Sequence, residues 1–444
     1  PKPQTPNPKP QTPNPPKFKY RKRGDYKLRE KRLLGRLDVR EETKKYIEKD
    51  LKYNCQNYGP LKMVIAKARG SYVWDVDGKK YLDAISAYGA MNQGHLHPRI
   101  KNKIIEQLDY CTLTGRGLHN NRLAEASEFL TSTFGYQRSI MMNTGVEGGE
   151  TAIKIARRWA YEVKKIPDNK ADVLIASRNF WGRTITACSS SDDPERFTNF
   201  GPFTPGFKIL PYDNIEAFES ELKSNPNVAA IMLEPIQGEG GVIVPSDSFF
   251  SKIRQLCDSY NVLLIIDEVQ TGLGRTGKLL CQEHYGGKAD LTILGKALSG
   301  GYMPISAVLG NDSVFKVMKP GSHGSTYGGN PLASVTCIEA IKVIQEEGLV
   351  DNARRMGDLI ISRLKERTKG MPYFKDIRGK GLFIGFDIDE NCGPKMEDFI
   401  EENCMRGLLI KNTKPTKVKV APSLLINERE ADFIVNTIID SSKL

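Results

Sequence analysis

The sequence predicts an α/β fold, with a large domain on a mostly parallel sheet and a smaller α+β domain after it. Three observations carry this. From about Ile100 to Gly329, short apolar runs alternate with helix-period segments: SIMMN (139–143), DVLIAS (172–177), VAAIMLE (228–234), VLLIID (262–267) and LTILG (291–295). Runs this short and this uniformly apolar read as buried strands, and their alternation with helices reads as βα units. From about Asn330 the texture changes to a long amphipathic stretch (332–368), then GLFIGFDI, a helix over 395–406, and GLLIKN. Finally, Asp267 closes VLLIID and Lys296 closes LTILGK, 29 residues on. Ligands of open α/β sheets bind at the C-terminal ends of the strands.

In chain order, residues 1–14 are a perfect tandem repeat of PKPQTPN. Such a proline-rich segment is expected to be extended and unpacked. Residues 17–50 are basic and then mixed in charge, with a helical pattern from about Arg40 to Leu51. Globular sequence starts near Tyr53. SYVWDVDGKKYLDAIS alternates apolar and polar residues around Asp77-Gly78, a hairpin signal. In the helix expected after SIMMN, Ile153, Ile155, Ala156 and Trp159 form the buried stripe.

Composition narrows the function. The 444 residues are enough for two domains, and no stretch approaches the ~18 apolar residues of a membrane span. The eight cysteines form no CxxC pair, which points to free thiols. His95 and His97 in GHLHP read better as a packed turn than as metal ligands. Of the net charge of +12, residues 1–50 hold 16 Lys/Arg against 7 Asp/Glu, leaving the body nearly neutral. This argues against a nucleic-acid face on the fold and places the basic character on an arm. The arm reads either as a solvated tail or as a dock for an anionic protein or membrane surface. No signal peptide is visible. The basic start, which is not a methionine, leans towards the mitochondrial matrix, with the cytoplasm as the alternative.

Several motifs carry chemistry. A charged residue at a strand end is most often just where the chain meets water. A lysine with a carboxylate partner at one sheet edge is, however, what pyridoxal phosphate requires: an amine for the Schiff base and an acid for the pyridine nitrogen. MNTGVEGGETAIKIARRW (142–159) is a strand end, a turn and a helix. There the backbone N–H groups of Gly145 and Val146, with the Thr144 hydroxyl, suit a phosphate. In NFWGRT (179–184), Phe180 suits stacking on a flat ring or core packing, and Arg183 suits a carboxylate or a surface ion pair. LEPIQGEGG (233–241) offers Glu234 and Glu239 as an acid/base pair or, better, as a polar gate. Gln270 in DEVQTGLGRTG (267–277) suits a ring hydroxyl. Thr326 in HGSTYGGNP (323–331) suits a phosphate.

Together and in this order, TGVEGGET, NFWGRT, EPIQGEGG, IIDEVQTGLGRTG, LGKALSGG and HGSTYGGNP closely resemble the class III pyridoxal-phosphate aminotransferases. The resemblance runs from about Cys55 to the C-terminus. NYGP, AYGAMNQGHLHP, NFGPFTPG and LPYDN resemble the branch of that family that acts on ornithine, above the acetylornithine and γ-aminobutyrate branches. It implies the fold-type I architecture, with residues 51–99 joining 330–444 in the small domain and 100–329 forming the large one. It implies transfer of the δ-amino group of L-ornithine to 2-oxoglutarate, giving glutamate semialdehyde and glutamate.

Residue by residue, the resemblance implies that Lys296 binds the cofactor and shuttles the proton, and that Asp267 keeps the pyridine nitrogen protonated. Gln270 binds the ring oxygen and Phe180 stacks on the ring. Gly145 and Val146 bind the phosphate, joined by Thr326 from a second subunit, so the site needs a homodimer. Arg183 holds the ornithine α-carboxylate, and Tyr58 and Tyr88 shape the substrate pocket. Glu239 pairs with a C-terminal arginine and releases it for the keto acid. Here the sequence departs, because Lys419 in VKVAPSLLI (418–426) stands at the arginine position. A lysine keeps the charge and loses the planar fork, at a cost on the order of 1–3 kcal/mol. In GVEGGE a glycine stands where the family has alanine, expected to loosen the helix start by about 0.5–1 kcal/mol. A second reading, motivated by the arm and by Lys419, is a structural or assembly subunit on the same fold.

Overall fold

The computed structural model describes residues 40–444. The proline-rich repeat and most of the basic arm lie outside the described residues. The chain divides at Val64–Ile65 into two compact units.

In the first unit the expected helix is present at Glu41–Tyr53. Glu41 and Glu42 in its first turn and Lys52 in its last complement the helix dipole. Lys44 donates to Glu41 at 2.9 Å. The helix stops where Asn54 turns extended and its side chain donates back to Asp50.

The second unit opens with three strands, β1 (Ile65–Arg69), β2 (Tyr72–Asp75) and β3 (Lys80–Asp83). β2 and β3 are the hairpin that Asp77-Gly78 predicts, with Gly78 at φ +84°. The Asp75 carboxylate fastens the turn by accepting from the backbone N–H of Asp77 and Lys79.

The central sheet has seven strands: β4 (Arg138–Met142), β5 (Asp172–Ala176), β6 (Phe207–Leu210), β7 (Val228–Leu233), β8 (Leu263–Asp267), β9 (Leu291–Leu294) and β10 (Ser306–Gly310). Their order is β4-β10-β9-β8-β7-β5-β6. β6, β5, β7, β8 and β9 run parallel, and β10 runs antiparallel to both neighbours. β4 therefore points the same way as β9. The C-terminal ends of β4, β5, β7, β8 and β9 share one edge of the sheet, which is where the motifs lie.

Helices cover both faces. Gly145–Trp159 presses Ile153, Ile155, Ala156 and Trp159 onto one face, the stripe the sequence predicts. Ile215–Ser224 and Phe249–Ser259 bring Phe218, Leu222, Phe249, Phe250 and Ile253 to the other. Both glycines of the GG pair are close-packed. A Cβ on Gly148 would lie 2.6 Å from Ile293 Cγ2, and one on Gly149 would lie 2.5 Å from Trp181. The propensity cost at this helix start thus accompanies an approach to the sheet that a side chain would block.

The rest of the chain has β11 (Phe374–Lys380), β12 (Phe383–Ile388), β13 (Leu408–Leu409), β14 (Lys411–Lys414) and β15 (Lys417–Val420). β11-β12-β15-β14 form an antiparallel sheet, and β13 pairs in parallel with β3. The stretch 332–368 is two helices rather than one, Pro331–Glu346 and Leu349–Arg367. The break is at Gly348, φ +65°, a left-handed position that ends a helix cheaply only at glycine.

Among the described residues no helix is long and apolar enough to cross a membrane. His95 and His97 are packed against carboxylates, Asp83 at 2.8 Å and Glu347 at 3.1 Å.

Candidate active site

The site grows from the shared sheet edge. β8 ends on Asp267, which is 6 % exposed. Its Oδ1 accepts from the Val269 backbone N–H at 2.9 Å, and no hydrogen bond to its Oδ2 is found among the described residues. β9 gives way at Gly295 to a 3₁₀ turn that begins on Lys296, held at φ +45°. That left-handed backbone costs a non-glycine residue of order 1–3 kcal/mol and marks a position under functional constraint. A cavity of about 340 Å³ is lined by Lys296, Asn143, Thr144, Gly145, Ser299 and Tyr302.

Gly145 opens its helix behind the N-cap Thr144, whose hydroxyl accepts from the Glu147 N–H at 3.3 Å. The N–H groups of Gly145 and Val146 have no intrahelical partner and form an anion site with the helix dipole. The close fit here depends on glycine. A Cβ on Gly145 would stand 2.8 Å from Val269 Cγ1, and one on Gly182 would stand 2.2 Å from Val146 Cγ2.

The charges are strongly perturbed. Burial lifts the Asp267 carboxyl to about 6, against the opposing pull of the Val269 N–H and Lys296. Burial lowers the Lys296 ammonium to about 8; the Lys419 charge adds to this, while Glu239, Asp267 and Glu234 oppose it. A third carboxylate, Glu234 at the end of β7, is lifted to about 8 by burial and then by Asp267. Its two oxygens accept from the backbone N–H of Phe180 (2.9 Å) and of Gly238 (3.1 Å). Glu234 therefore pins the Phe180 loop to the Glu239 loop rather than forming an acid/base pair with Glu239.

Phe180 is also held from the side. The Arg196 guanidinium lies 4.7 Å from its ring centroid and donates to the Asn179 carbonyl at 2.8 Å. Arg183 is exposed, 5.8 Å from the same centroid.

A second cluster faces the first. Lys419 on β15 donates to Glu239 Oε1 at 2.5 Å and to Gln270 Oε1 at 3.2 Å, and the Gln270 amide donates to Glu239 at 3.3 Å. Burial raises the Glu239 carboxyl, but the Lys419 charge and hydrogen bond outweigh it and hold it at about 2. Lys419 Nζ lies 5.8 Å from the centroid of Tyr88. Tyr88 belongs to a run of four positive-φ residues, Ser86, Ala87, Tyr88 and Gly89. The Asp83 carboxylate steadies that turn by accepting from the N–H groups of Ile85 and Ser86.

Lys296, Asp267, Gly145 and Val146 thus share the sheet edge with Phe180, while Glu239, Gln270, Lys419 and Tyr88 form the adjoining cluster. Gln270 has its amide committed to Glu239 and Lys419. Tyr58 belongs to the first unit and is exposed. Thr326 is exposed, next to Ser325, whose hydroxyl accepts from Asn143 at 2.8 Å. Arg196, Val269 and the clamp made by Glu234 escape sequence reasoning. Only Glu234 leaves a signal there, a carboxylate closing an apolar strand.

The class-III aminotransferase family model matches residues 53–441. The chain belongs to the class-III aminotransferases. It is 50 % identical over 396 residues to the mitochondrial ornithine aminotransferase of Drosophila melanogaster, covering 87 % of this chain and 90 % of that protein. It is 46 % identical over 398 residues to the ornithine aminotransferase of Plasmodium falciparum, covering 90 % and 96 %. An ornithine aminotransferase structure from Toxoplasma gondii, with partial occupancy of PLP at its active site, superposes with a TM-score of 0.88 at 44 % identity, covering 95 % of this chain and 98 % of that one.

Pyridoxal 5'-phosphate is the cofactor of class-III aminotransferases, and the residues present here fit it. A buried amine is poised near neutrality, a buried carboxyl has one oxygen that no described residue bonds, and a helix start with free N–H groups borders the same cavity.

Proposed function

We propose that this aminotransferase moves the δ-amino group of L-ornithine to 2-oxoglutarate, yielding glutamate 5-semialdehyde and glutamate. The observation that carries the reading is the Glu239–Lys419–Gln270 cluster beside Lys296, joined by the identity to ornithine aminotransferases over nine-tenths of the chain. When bound, pyridoxal phosphate supplies the aldehyde that takes up the amine and a ring that withdraws electrons. Lys296 receives and returns the proton at the reacting carbon, a role suited by a pKa near 8. Asp267 would hold a proton at the pyridine nitrogen through the oxygen that no described residue bonds. Gly145 and Val146 would hold the phosphate, Phe180 would cover the ring, and Gln270 would exchange its bond to Glu239 for one to the ring oxygen. Arg183 would hold the ornithine α-carboxylate, with Tyr88 shaping the pocket. With Lys419 neutralised by Glu239, the pocket accepts a reacting carbon that bears no charge beside it.

A homodimer completes the site, with Thr326 supplied to the neighbouring subunit. Support comes from the exposure of Thr326 and of the apolar Tyr110, Leu118, Phe200 and Tyr327. The domain reading is residues 100–329 against 51–99 with 330–444, supported by the pairing of β3 with β13. The mitochondrial matrix is the compartment that the basic N-terminal region and the Drosophila relative favour. The arm is read as a dock for an anionic surface, which deletion of residues 1–50 followed by fractionation tests.

The deciding experiment follows the cofactor absorbance in a single turnover. Ornithine should bleach it and 2-oxoglutarate should restore it. A bound cofactor that ornithine leaves unchanged overturns the reading.

A further inference from the structure

The β14–β15 hairpin carries four lysines: Lys411, Lys414, Lys417 and Lys419. Three are matched by carboxylates: Lys414 with Asp193 (2.7 Å), Lys417 with Asp387 (2.5 Å) and Lys419 with Glu239 (2.5 Å). Lys411 has no carboxylate partner among the described residues. It is nevertheless only part-exposed, and its Nζ lies 5.8 Å from the Tyr88 ring centroid, the same distance as Lys419 Nζ. The two lysines are direct partners in the antiparallel register. Directly opposed residues share a face, with Cβ atoms about 4.5–5.5 Å apart. Like charges placed so repel, so an unmatched lysine beside a matched one is a cost that an incoming anion would relieve.

The two substrates differ at the reacting end. The keto carbon of 2-oxoglutarate carries a carboxylate, whereas the δ-carbon of ornithine carries none. Lys419 is the cation bonded to Glu239 and Gln270 in the cluster adjoining Asp267 and Lys296, so it is the charge placed to meet a carboxylate beside the reacting carbon. One ammonium cannot grip it bidentately. We infer that Lys411 is a second carboxylate-binding residue for the keto-acid acceptor, closing with Lys419 around the carboxylate next to the reacting carbon. Two point charges on neighbouring strands then do what a single planar fork does elsewhere, and Glu239 takes up Lys419 again when the carboxylate leaves. This rests on the ornithine reading and specifies its acceptor site.

The test uses the full chain loaded with pyridoxal phosphate. A second sample is loaded with pyridoxamine phosphate, the form that takes the acceptor, the Kd for 2-oxoglutarate is read from the concentration dependence of its single-turnover absorbance change, and KM and kcat are then measured for both substrates. For Lys411→Met the Kd and KM for 2-oxoglutarate should rise about 5–10-fold with kcat nearly kept, the size of one charge-assisted contact, while the KM for ornithine moves far less. Lys411→Arg should return both values to near wild type. An unchanged Kd for 2-oxoglutarate overturns the inference, and so does an equal rise in both KM values, which would make Lys411 only a wall of the pocket. Lys411→Gln gives the same comparison if the methionine variant folds poorly. Failure of the wild type to respond to ornithine would sink the functional reading instead, so the two failures are separable.

Discussion

Glu234 and Glu239 lie five residues apart, both in the water-poor interior of the site, and their carboxyls are driven in opposite directions, to about 8 and about 2. Burial pushes both upward. Glu234 meets backbone N–H groups and the like charge of Asp267, whereas Glu239 meets the Lys419 ammonium at 2.5 Å. The partner, and not the depth, decides the charge. The contrast extends to the regions around them. At the sheet edge, Asp267, Lys296 and Glu234 are anchored by strand ends and backbone groups, as suits chemistry common to both half-reactions. In the hairpin cluster, Glu239, Gln270, Lys419 and Lys411 are held by side chains that can change partners, as suits choice between substrates.

The largest effect should come from breaking the sheet edge. Lys296→Ala is expected to lower kcat by at least about 10⁴-fold for both half-reactions, read by single-turnover absorbance. A variant that still turns over one substrate would show that the two regions divide the work differently. Next, Asp267→Asn should lower kcat/KM by about 10²–10³-fold for ornithine and 2-oxoglutarate alike. A loss confined to one substrate would erase the distinction between edge and hairpin.

The pH dependence of stability sharpens the contrast. The folded pKa of Glu239 lies below its unfolded value of about 4.3. Its contribution is therefore fully present above pH ~4.3 and is lost as the pH falls towards 2. The Tm advantage of wild type over Glu239→Gln should shrink over that window. Glu234 has the opposite sign. Its folded pKa is raised, so it favours the fold below pH ~4.3 and that contribution is lost as the pH rises through about 8. The deficit of Glu234→Gln should accordingly narrow as the pH rises, and equal slopes for the two variants would remove the comparison. The smallest effect belongs to Lys419→Arg, which restores a planar fork against Glu239. It should lower the KM for 2-oxoglutarate by no more than about tenfold and leave kcat for the ornithine half-reaction little changed, measured by steady-state kinetics.

The buried strands were legible because each is a short apolar run whose pattern needs no partner to be recognised. β5, β7, β8 and β9 appear within a residue of their predicted bounds, and Asp267 and Lys296 follow from where those runs stop. β6 and β10 were not, since FKIL is only four residues long and β10 breaks the βα alternation by returning antiparallel between β4 and β9. Residue type and motif position made Phe180, Gln270 and Thr326 candidates, and resemblance, rather than pattern, chose among their roles.

The sequence by itself determined the α/β class and the paired lysine and aspartate, because each depends on residue type and local period, and its resemblance to a family showed the lysine in place of the arginine. The tertiary structure alone decided that Glu234 clamps two loops, that Arg196 braces Phe180, and that Lys411 stands beside Lys419 with no carboxylate of its own among the described residues. Those are contacts between residues up to 54 positions apart, set by strand register and loop packing, and no local pattern in the chain encodes them.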